Sequence, residues 1–283
     1  MIPFTELSKK SVEWGVPIET VDKDWVLGHY LNGLYNRSLF KDCFRFKGGT
    51  CLRKLYFKHF RFSEDLDFSS LSEVEREKIK KELEIIHDII YQNAGISFGH
   101  IQIKDMQSND QLMGYEFKIP FWGAKHRDKR VPHERWRTSI KIDISLRESI
   151  LSPPVSKNIF HSYSDSKDIT AKVLTYSIEE IYAEKLRTIL QRGWPRDYYD
   201  LWYLSVFYSE KLRFKEIASF FEKKCKLKEI EFKRIDSFFH GVEQVKENWK
   251  PSLGSHLRDL PDVDKVLSEL MVKLEKLFSE NSV

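Results

Sequence analysis

"FKGGTCLRKLYFKHFRFSEDLDFS", residues 46–69, holds a Gly-Gly-Thr turn and two alternating aspartates within one short stretch. "CFRF" before the turn reads as a short strand ending at Gly48, and "CLRKLYF" after it as a helix. A strand that ends in Gly48, Gly49 and Thr50 and leads into a helix lets backbone N–H groups come close to a phosphate, with the helix dipole adding to the attraction. "RFSEDLDFS" alternates strictly, placing Asp65 and Asp67 on one face of a strand and Leu66 and Phe68 on the other. Carboxylates at i and i+2 of a strand can both reach one hard cation such as Mg²⁺. Each half has an ordinary alternative, a tight turn or a solvated strand edge. The two in this order are far more specific than either alone.

A site of this kind needs a third carboxylate to hold two metals. "TSIKIDISL" (138–146) supplies Asp143 on the face opposite Ile140, Ile142 and Ile144, beside Lys141. A strand carrying Asp143 next to the Asp65–Asp67 strand would project all three acids to one side; a plain solvent-facing aspartate is the alternative. "HIQIKDMQ" and "GYEFKIPFW" read as further strands, residues 21–36 as a helix through Val26, Leu27, Tyr30, Leu31 and Leu34, and residues 72–93 as an amphipathic helix through Val74, Ile79, Leu83, Ile86 and Ile90.

From residue 177 the pattern is helical. "SIEEIYAEKLRTILQRGWPRDYYDLWYL" opens on a capping box, Ser177 with Glu180. Ile178, Ile181, Tyr182, Leu186 and Ile189 form one apolar face with Lys185 in its middle. A lysine there must snorkel or meet an anion; the functional reading aims it at a nucleotide phosphate in an interdomain cleft. Asp197 and Asp200 share the next helix's face with Leu201 and Leu204, either as helix-dipole partners or as one buried network with the lysine. The expected architecture is an α/β N-terminal domain over 1–176 and an all-helical domain over 177–283.

At 283 residues, with 32% charged and 41% hydrophobic, the composition is that of an ordinary globular protein. No apolar run approaches the ~18 residues that cross a bilayer, and the first residues lack the apolar core of a signal peptide. Cys43, Cys51 and Cys225 are scattered, which argues against a disulfide framework or a zinc site and fits a reducing cytoplasm. The net charge of +4 is modest, but "GAKHRDKRVPHERWRT" (123–138) concentrates Lys125, Arg127, Lys129, Arg130, Arg135 and Arg137 around Trp136. Basic side chains with an aromatic suit an RNA backbone and a stacked base, although a charged hairpin tip is often merely solvated.

The pattern of glycines, Asp-Leu-Asp and later Ile-Asp-Ile resembles the DNA polymerase β-like nucleotidyltransferase superfamily, with Lys47 departing from the apolar residue expected there. Adding "AEKLRT…RDYYDLW", residues 24–205 resemble the AbiEii/AbiGii-type nucleotidyltransferase toxins, which include the mycobacterial MenT toxins. The resemblance implies an α+β fold, a polymerase β-like domain of mixed sheet flanked by helices followed by the helical domain. It implies a monomeric enzyme that uses an NTP and Mg²⁺ (or Mn²⁺), a cognate antitoxin encoded alongside, and for some members transfer of nucleotides to the tRNA 3′ acceptor end. Carried over by residue, Gly48, Gly49 and Thr50 hold the triphosphate, Asp65 and Asp67 ligate metal, and Lys185 with Asp197 completes the site. Arg53, Arg61 and Ser63 contact phosphate or support the Asp65–Asp67 strand, with Asp143 and Asp200 as less diagnostic matches.

The expected activity is therefore a toxin that moves NMP from an NTP to RNA, with tRNA as the acceptor. Nucleotide transfer to protein hydroxyls and an NTP-binding regulatory module without transferase activity are the competing readings. A glycosyltransferase would explain the Asp-Leu-Asp but neither the glycine turn nor Lys185.

Overall fold

The computed structural model describes residues 1–126 and 131–279, which divide into two compact units. The first comprises Met1–Ile150 and Pro154–Tyr176; the second comprises Leu151–Pro153 and Ser177–Val283.

The first unit opens with helices α1 (Phe4–Trp14), α2 (Ile18–Tyr35) and α3 (Ser38–Cys43), then β1 (Phe44–Lys47), α4 (Gly48–Cys51), β2 (Asp65–Ser70) and α5 (Arg76–Ala94). Strands β3 (Ser97–Phe98), β4 (Gln102–Ser108), β5 (Gln111–Trp122), β6 (Ser139–Ser145), β7 (Val155–Asn158) and β8 (Lys172–Thr175) follow. They form one mixed sheet in the order β3-β5-β6-β2-β1-β8-β7, with β4 also on β5. β2 runs parallel to β6, and β1 parallel to β8; β1–β2, β5–β6 and β7–β8 are antiparallel. The mixed sheet flanked by helices is the α+β arrangement the resemblance implied.

Strict alternation sorts the sheet's two faces. Phe46, Leu66, Phe68, Phe117, Ile119, Ile140, Ile142 and Ile144 are all buried on one of them. Phe40 of α3 meets Phe44 and Phe68 at ring separations of 4.8 and 5.6 Å, and Tyr35 of α2 lies 6.4 Å from Phe68. Each such buried phenyl contributes roughly 1.5–3 kcal/mol, so this aromatic cluster is what fixes β1 and β2 against the helices. α2 and α5 approach closely because Gly33 has no Cβ; one would lie 2.8 Å from Ile86 Cγ2. α5 starts at Arg76, so Val74, expected inside the helix, is buried just ahead of it.

α4 widens at its end into a π-helical turn, Leu52–Tyr56, closed by Phe57 N–H on Leu52 O at 2.8 Å. One extra residue per turn rotates Arg53 and Lys54 inward. Both are buried, and Lys54 Nζ reaches Asp24 Oδ2 of α2 at 2.7 Å.

The second unit contains α6 (Ile178–Arg192), α7 (Pro195–Phe207), α8 (Phe214–Leu227), α9 (Val242–Leu253) and α10 (Val263–Ser279). Only half of the expected capping box forms. Ser177 Oγ accepts from Glu180 N–H at 3.2 Å, but the Glu180 carboxylate turns away to Leu151 N–H and Ser152 N–H, both 2.9 Å, and to Lys224 Nζ at 3.1 Å. Those bonds are why Leu151–Pro153 belongs to the helical unit. No helix among the described residues is long and apolar enough to cross a membrane.

Candidate functional site

The glycine turn and the acidic strand are built into each other. Gly48 adopts φ +80°, and a Cβ there would stand 2.2 Å from Asp67 Oδ2. At Gly49 a Cβ would stand 2.9 Å from both Arg61 Nη2 and Ser63 Oγ. The pair of glycines is thus required on both sides, with Asp67 pressed on one and the Arg61–Ser63 segment on the other. Thr50 Oγ1 donates to Asp65 O at 2.5 Å, tying the turn to the first residue of β2.

The register of the sheet then assembles the acids. Asp65 stands opposite Lys141, and Asp67 opposite Asp143, on the parallel β2–β6 pair. Glu116 of β5 stands opposite Asp143 from the other side, and Lys47 of β1 opposite Asp67. Lys47, Asp67, Asp143 and Glu116 therefore run as one row across four strands, on the face opposite the apolar core. Lys141 Nζ lies 2.8 Å from Asp143 Oδ2 and 3.3 Å from Glu116 Oε2. Lys47, the departure from the superfamily pattern, pairs with Glu148 at 3.6 Å.

Asp143 is the most telling group. Its Oδ1 is buried without a hydrogen-bond partner. Burial pushes its carboxyl above the ordinary value, and the neighbouring Asp65 and Glu116 charges add to that, together outweighing Lys141. Lys141 itself is held protonated more firmly than usual, the surrounding acids outweighing its own desolvation. An unpartnered buried oxygen among half-buried carboxylates is the donor set a hard divalent cation takes, so Asp65, Asp67 and Asp143 fit the metal their pattern implies. Glu116 was not singled out in the sequence. It is one acid in a strand also carrying Lys118, and only its register with Asp143 marks it.

Arg53 is committed elsewhere. Its Nη1 donates to Lys58 O and Phe60 O, both at 2.8 Å, its Nε lies 3.5 Å from Asp24, and the guanidinium covers the Phe62 ring at 3.9 Å. It thereby holds the 57–62 turn that leads into β2. Arg61 donates from Nη1 to Phe62 O at 3.1 Å and packs under Gly49.

In the helical unit, the Ile178–Ile189 face of α6 is buried as its periodicity predicts, with Lys185 within it. The lysine does have anionic partners. Its Nζ lies 2.5 Å from Asp200 Oδ2 and 3.2 Å from Asp197 Oδ1, both of α7. Arg192 Nε adds a bond to Asp197 at 3.1 Å. Burial alone would raise the Asp197 carboxyl, but Lys185 and Arg192 hold it below the ordinary value. Lys185, Asp197 and Asp200 form one buried polar network linking α6 and α7, with the exposed Arg192 at its edge.

Of the basic segment, Arg127, Lys129 and Arg130 lie outside the described residues. Arg135 and Arg137 are exposed. Lys125 pairs with Glu19 of α2, and its backbone N–H donates to Asp22 at 3.3 Å. Trp122 stacks on His126 with centroids 3.9 Å apart and lies 5.4 Å from Trp136, making an aromatic pile at the base of the segment.

Residues 29–269 match the family model described as nucleotidyl transferase AbiEii toxin, type IV TA system. Among solved structures, MenT4, a nucleotidyltransferase toxin from Mycobacterium tuberculosis, is similar in fold, with a TM-score of 0.66 at 17% identity over 99% of this chain and 89% of that one. No curated protein matches. The chain belongs to the AbiEii family of nucleotidyltransferase toxins.

Proposed function

Starting from that membership, we propose that the protein is a Mg²⁺-dependent transferase that moves NMP from an NTP to RNA, with the tRNA 3′ acceptor end as acceptor, and that an antitoxin encoded alongside opposes it. The observation that carries the reading is the row of acids: Asp67 and Asp143 in register on adjacent parallel strands, Asp65 on the same face, and Asp143 Oδ1 buried without a partner. We assign the metals to Asp65, Asp67 and Asp143. These carboxylates would hold a divalent ion, which would supply charge to offset the donor phosphates and favour deprotonation of the acceptor hydroxyl.

The chain's own residues do the rest. The acceptor hydroxyl attacks the α-phosphorus; an O–P bond forms, the bond to the β-phosphate oxygen breaks, and pyrophosphate leaves. Asp143 or Asp67 takes the hydroxyl proton. The Gly48–Gly49 backbone offers N–H groups to the triphosphate, and Arg53 and Ser63 keep the turn and β2 in place. Lys185 supplies positive charge to the phosphates, with Asp197 and Asp200 orienting its ammonium. Exposed Arg135 and Arg137, with Trp136 beside them, support an RNA acceptor; Lys125, Arg127, Lys129 and Arg130 extend that basic stretch in sequence. The protein acts as a monomer in the cytoplasm.

The test is incubation with Mg²⁺, total tRNA and each α-labelled NTP in turn, beside Asp65→Ala and Lys185→Ala. Label in tRNA with the wild type and with neither variant supports the reading and identifies the donor base. No label with NTP binding intact moves the acceptor to protein or leaves a binding module. Label persisting in both variants places the site elsewhere.

A further inference from the structure

A second cluster of ligating side chains lies apart from the acids, in the first unit. His29 is on α2; His161 and Asp165 are on the connection between β7 and β8. His29 Nε2 lies 2.9 Å from Asp165 Oδ2, and His161 Nε2 lies 3.0 Å from Asp165 Oδ1. One ligand atom from each of the three lies within 4.8 Å of the others. We propose that His29, His161 and Asp165 bind a divalent transition-metal ion of the zinc type, separate from the Mg²⁺ of the acidic row.

Three features favour a built metal site over a plain hydrogen-bond clamp. Two imidazoles and one carboxylate are the donors of a zinc-type ion, whereas the all-oxygen acidic row suits a hard cation. Trp25 Nε1 donates to Asp165 Oδ2 at 2.9 Å, an outer hydrogen bond of the sort that orients a ligating carboxylate. The third feature is the clearance made for His161. Gly28 sits inside α2, where glycine costs roughly 0.5–1 kcal/mol; a Cβ there would stand 2.1 Å from His161 Nδ1. The ring is therefore confined with Nε2 aimed at Asp165.

His161 Nδ1 is buried without a hydrogen-bond partner, so the tautomer that frees Nε2 for a metal leaves that N–H unbonded, a cost the metal bond must outweigh. Both rings are buried and Asp165 is half-buried, so the ion enters from the carboxylate side. The three ligands leave one tetrahedral position for water. The same connection is already fastened to α2 by Tyr163, whose hydroxyl lies 2.9 Å from both Val21 O and Asp24 Oδ2 and donates its one hydrogen between them. The metal would complete that fastening, apart from the acidic row.

The test is zinc binding to the full chain, read by metal content after dialysis, calorimetry with Zn²⁺ alone, and Co²⁺ absorption. The expected result is one equivalent of zinc that survives in the Asp65→Ala/Asp67→Ala double variant. Asp165→Asn and His29→Gln should each lose it while keeping the wild-type far-UV spectrum. Trp25→Phe, which removes the outer hydrogen bond and some buried volume beside His29, should bind 10- to 100-fold more weakly. Folded wild-type protein that binds no zinc would overturn the site. So would zinc bound equally by Asp165→Asn, or zinc lost only when Asp65 and Asp67 are replaced. Should both ligand variants unfold, the Co²⁺ spectrum of the wild type decides: bands of a tetrahedral nitrogen–oxygen site support it, and an octahedral spectrum refutes it.

Discussion

Gly48→Ala perturbs the backbone and the acidic site with one methyl group. The residue sits at φ +80°, a conformation that costs an L-residue about 1–2 kcal/mol. Losing glycine's freedom in the unfolded chain returns about 0.4–1 kcal/mol. The net destabilisation is thus about 1 kcal/mol, or ~2–4 °C in melting temperature for a unit of this size. The larger effect is local. The new Cβ would stand 2.2 Å from Asp67 Oδ2, so the carboxylate must retreat by about 1 Å, far outside the ±0.2 Å that a metal ligand tolerates. Mn²⁺ affinity, followed by electron paramagnetic resonance, should fall at least 10-fold, with transferase activity falling alongside. In an Asp67→Ala background the same substitution should cost only the backbone strain. Gly48→Ala protein that binds Mn²⁺ within twofold of wild type would refute the claim that this glycine exists to admit Asp67.

Two further outcomes follow from buried charge. Lys185→Met leaves Asp200, fully buried, without its nearest cation; urea unfolding should show a loss of about 3–5 kcal/mol, and replacing Asp200 by Asn in the same chain should recover part of it. Asp22 receives backbone N–H bonds from Ala124 and Lys125, yet burial outweighs them and pushes its carboxyl up to about 7. A folded value above the unfolded one means its contribution is greatest below the unfolded value of 3.8 and is lost as pH rises through about 7. Relative to Asp22→Asn, wild type should therefore lose stability between about pH 4 and 7, by up to roughly 4 kcal/mol at 1.36 per unit. Parallel pH–stability curves for the two proteins would contradict this.

The elements that the sequence made legible are those with an uninterrupted period. β2 and β6 alternate over several residues, so their acidic and apolar faces could be read directly, and α6 could be read from the spacing of Ile178, Ile181, Tyr182 and Ile189. β3 and β8, two and four residues long, carry too little period to be seen. Their existence depends on pairing with β5 and β1. Glu116 escaped notice for a related reason. Its meaning comes from cross-strand register, which no local pattern encodes, whereas Asp65 and Asp67 declare themselves by standing two apart. Glu180 illustrates the reverse. The local capping pattern is present, but backbone donors from Leu151 and Ser152 and the Lys224 ammonium compete for its carboxylate and win.

The acidic row also makes metal binding part of the fold's stability. Like charges directly opposite on neighbouring strands oppose pairing by roughly 0.2–1 kcal/mol each, and Asp67, Asp143 and Glu116 are such neighbours. Lys141 relieves Asp143 and Glu116 only in part, since the Asp143 carboxyl remains raised. Asp143→Asn removes one of these charges at nearly constant shape. Without divalent metal the variant should therefore be as stable as wild type or more so, by up to about 1 kcal/mol. Excess Mg²⁺ stabilises whatever binds it, by about 2.7 kcal/mol at 100 times the dissociation constant. The wild type should gain this and the variant should not, so the two melting curves should exchange order as Mg²⁺ is titrated. A variant less stable than wild type in chelator, at the same pH, would mean that Asp143 holds the sheet together rather than straining it in readiness for the ion.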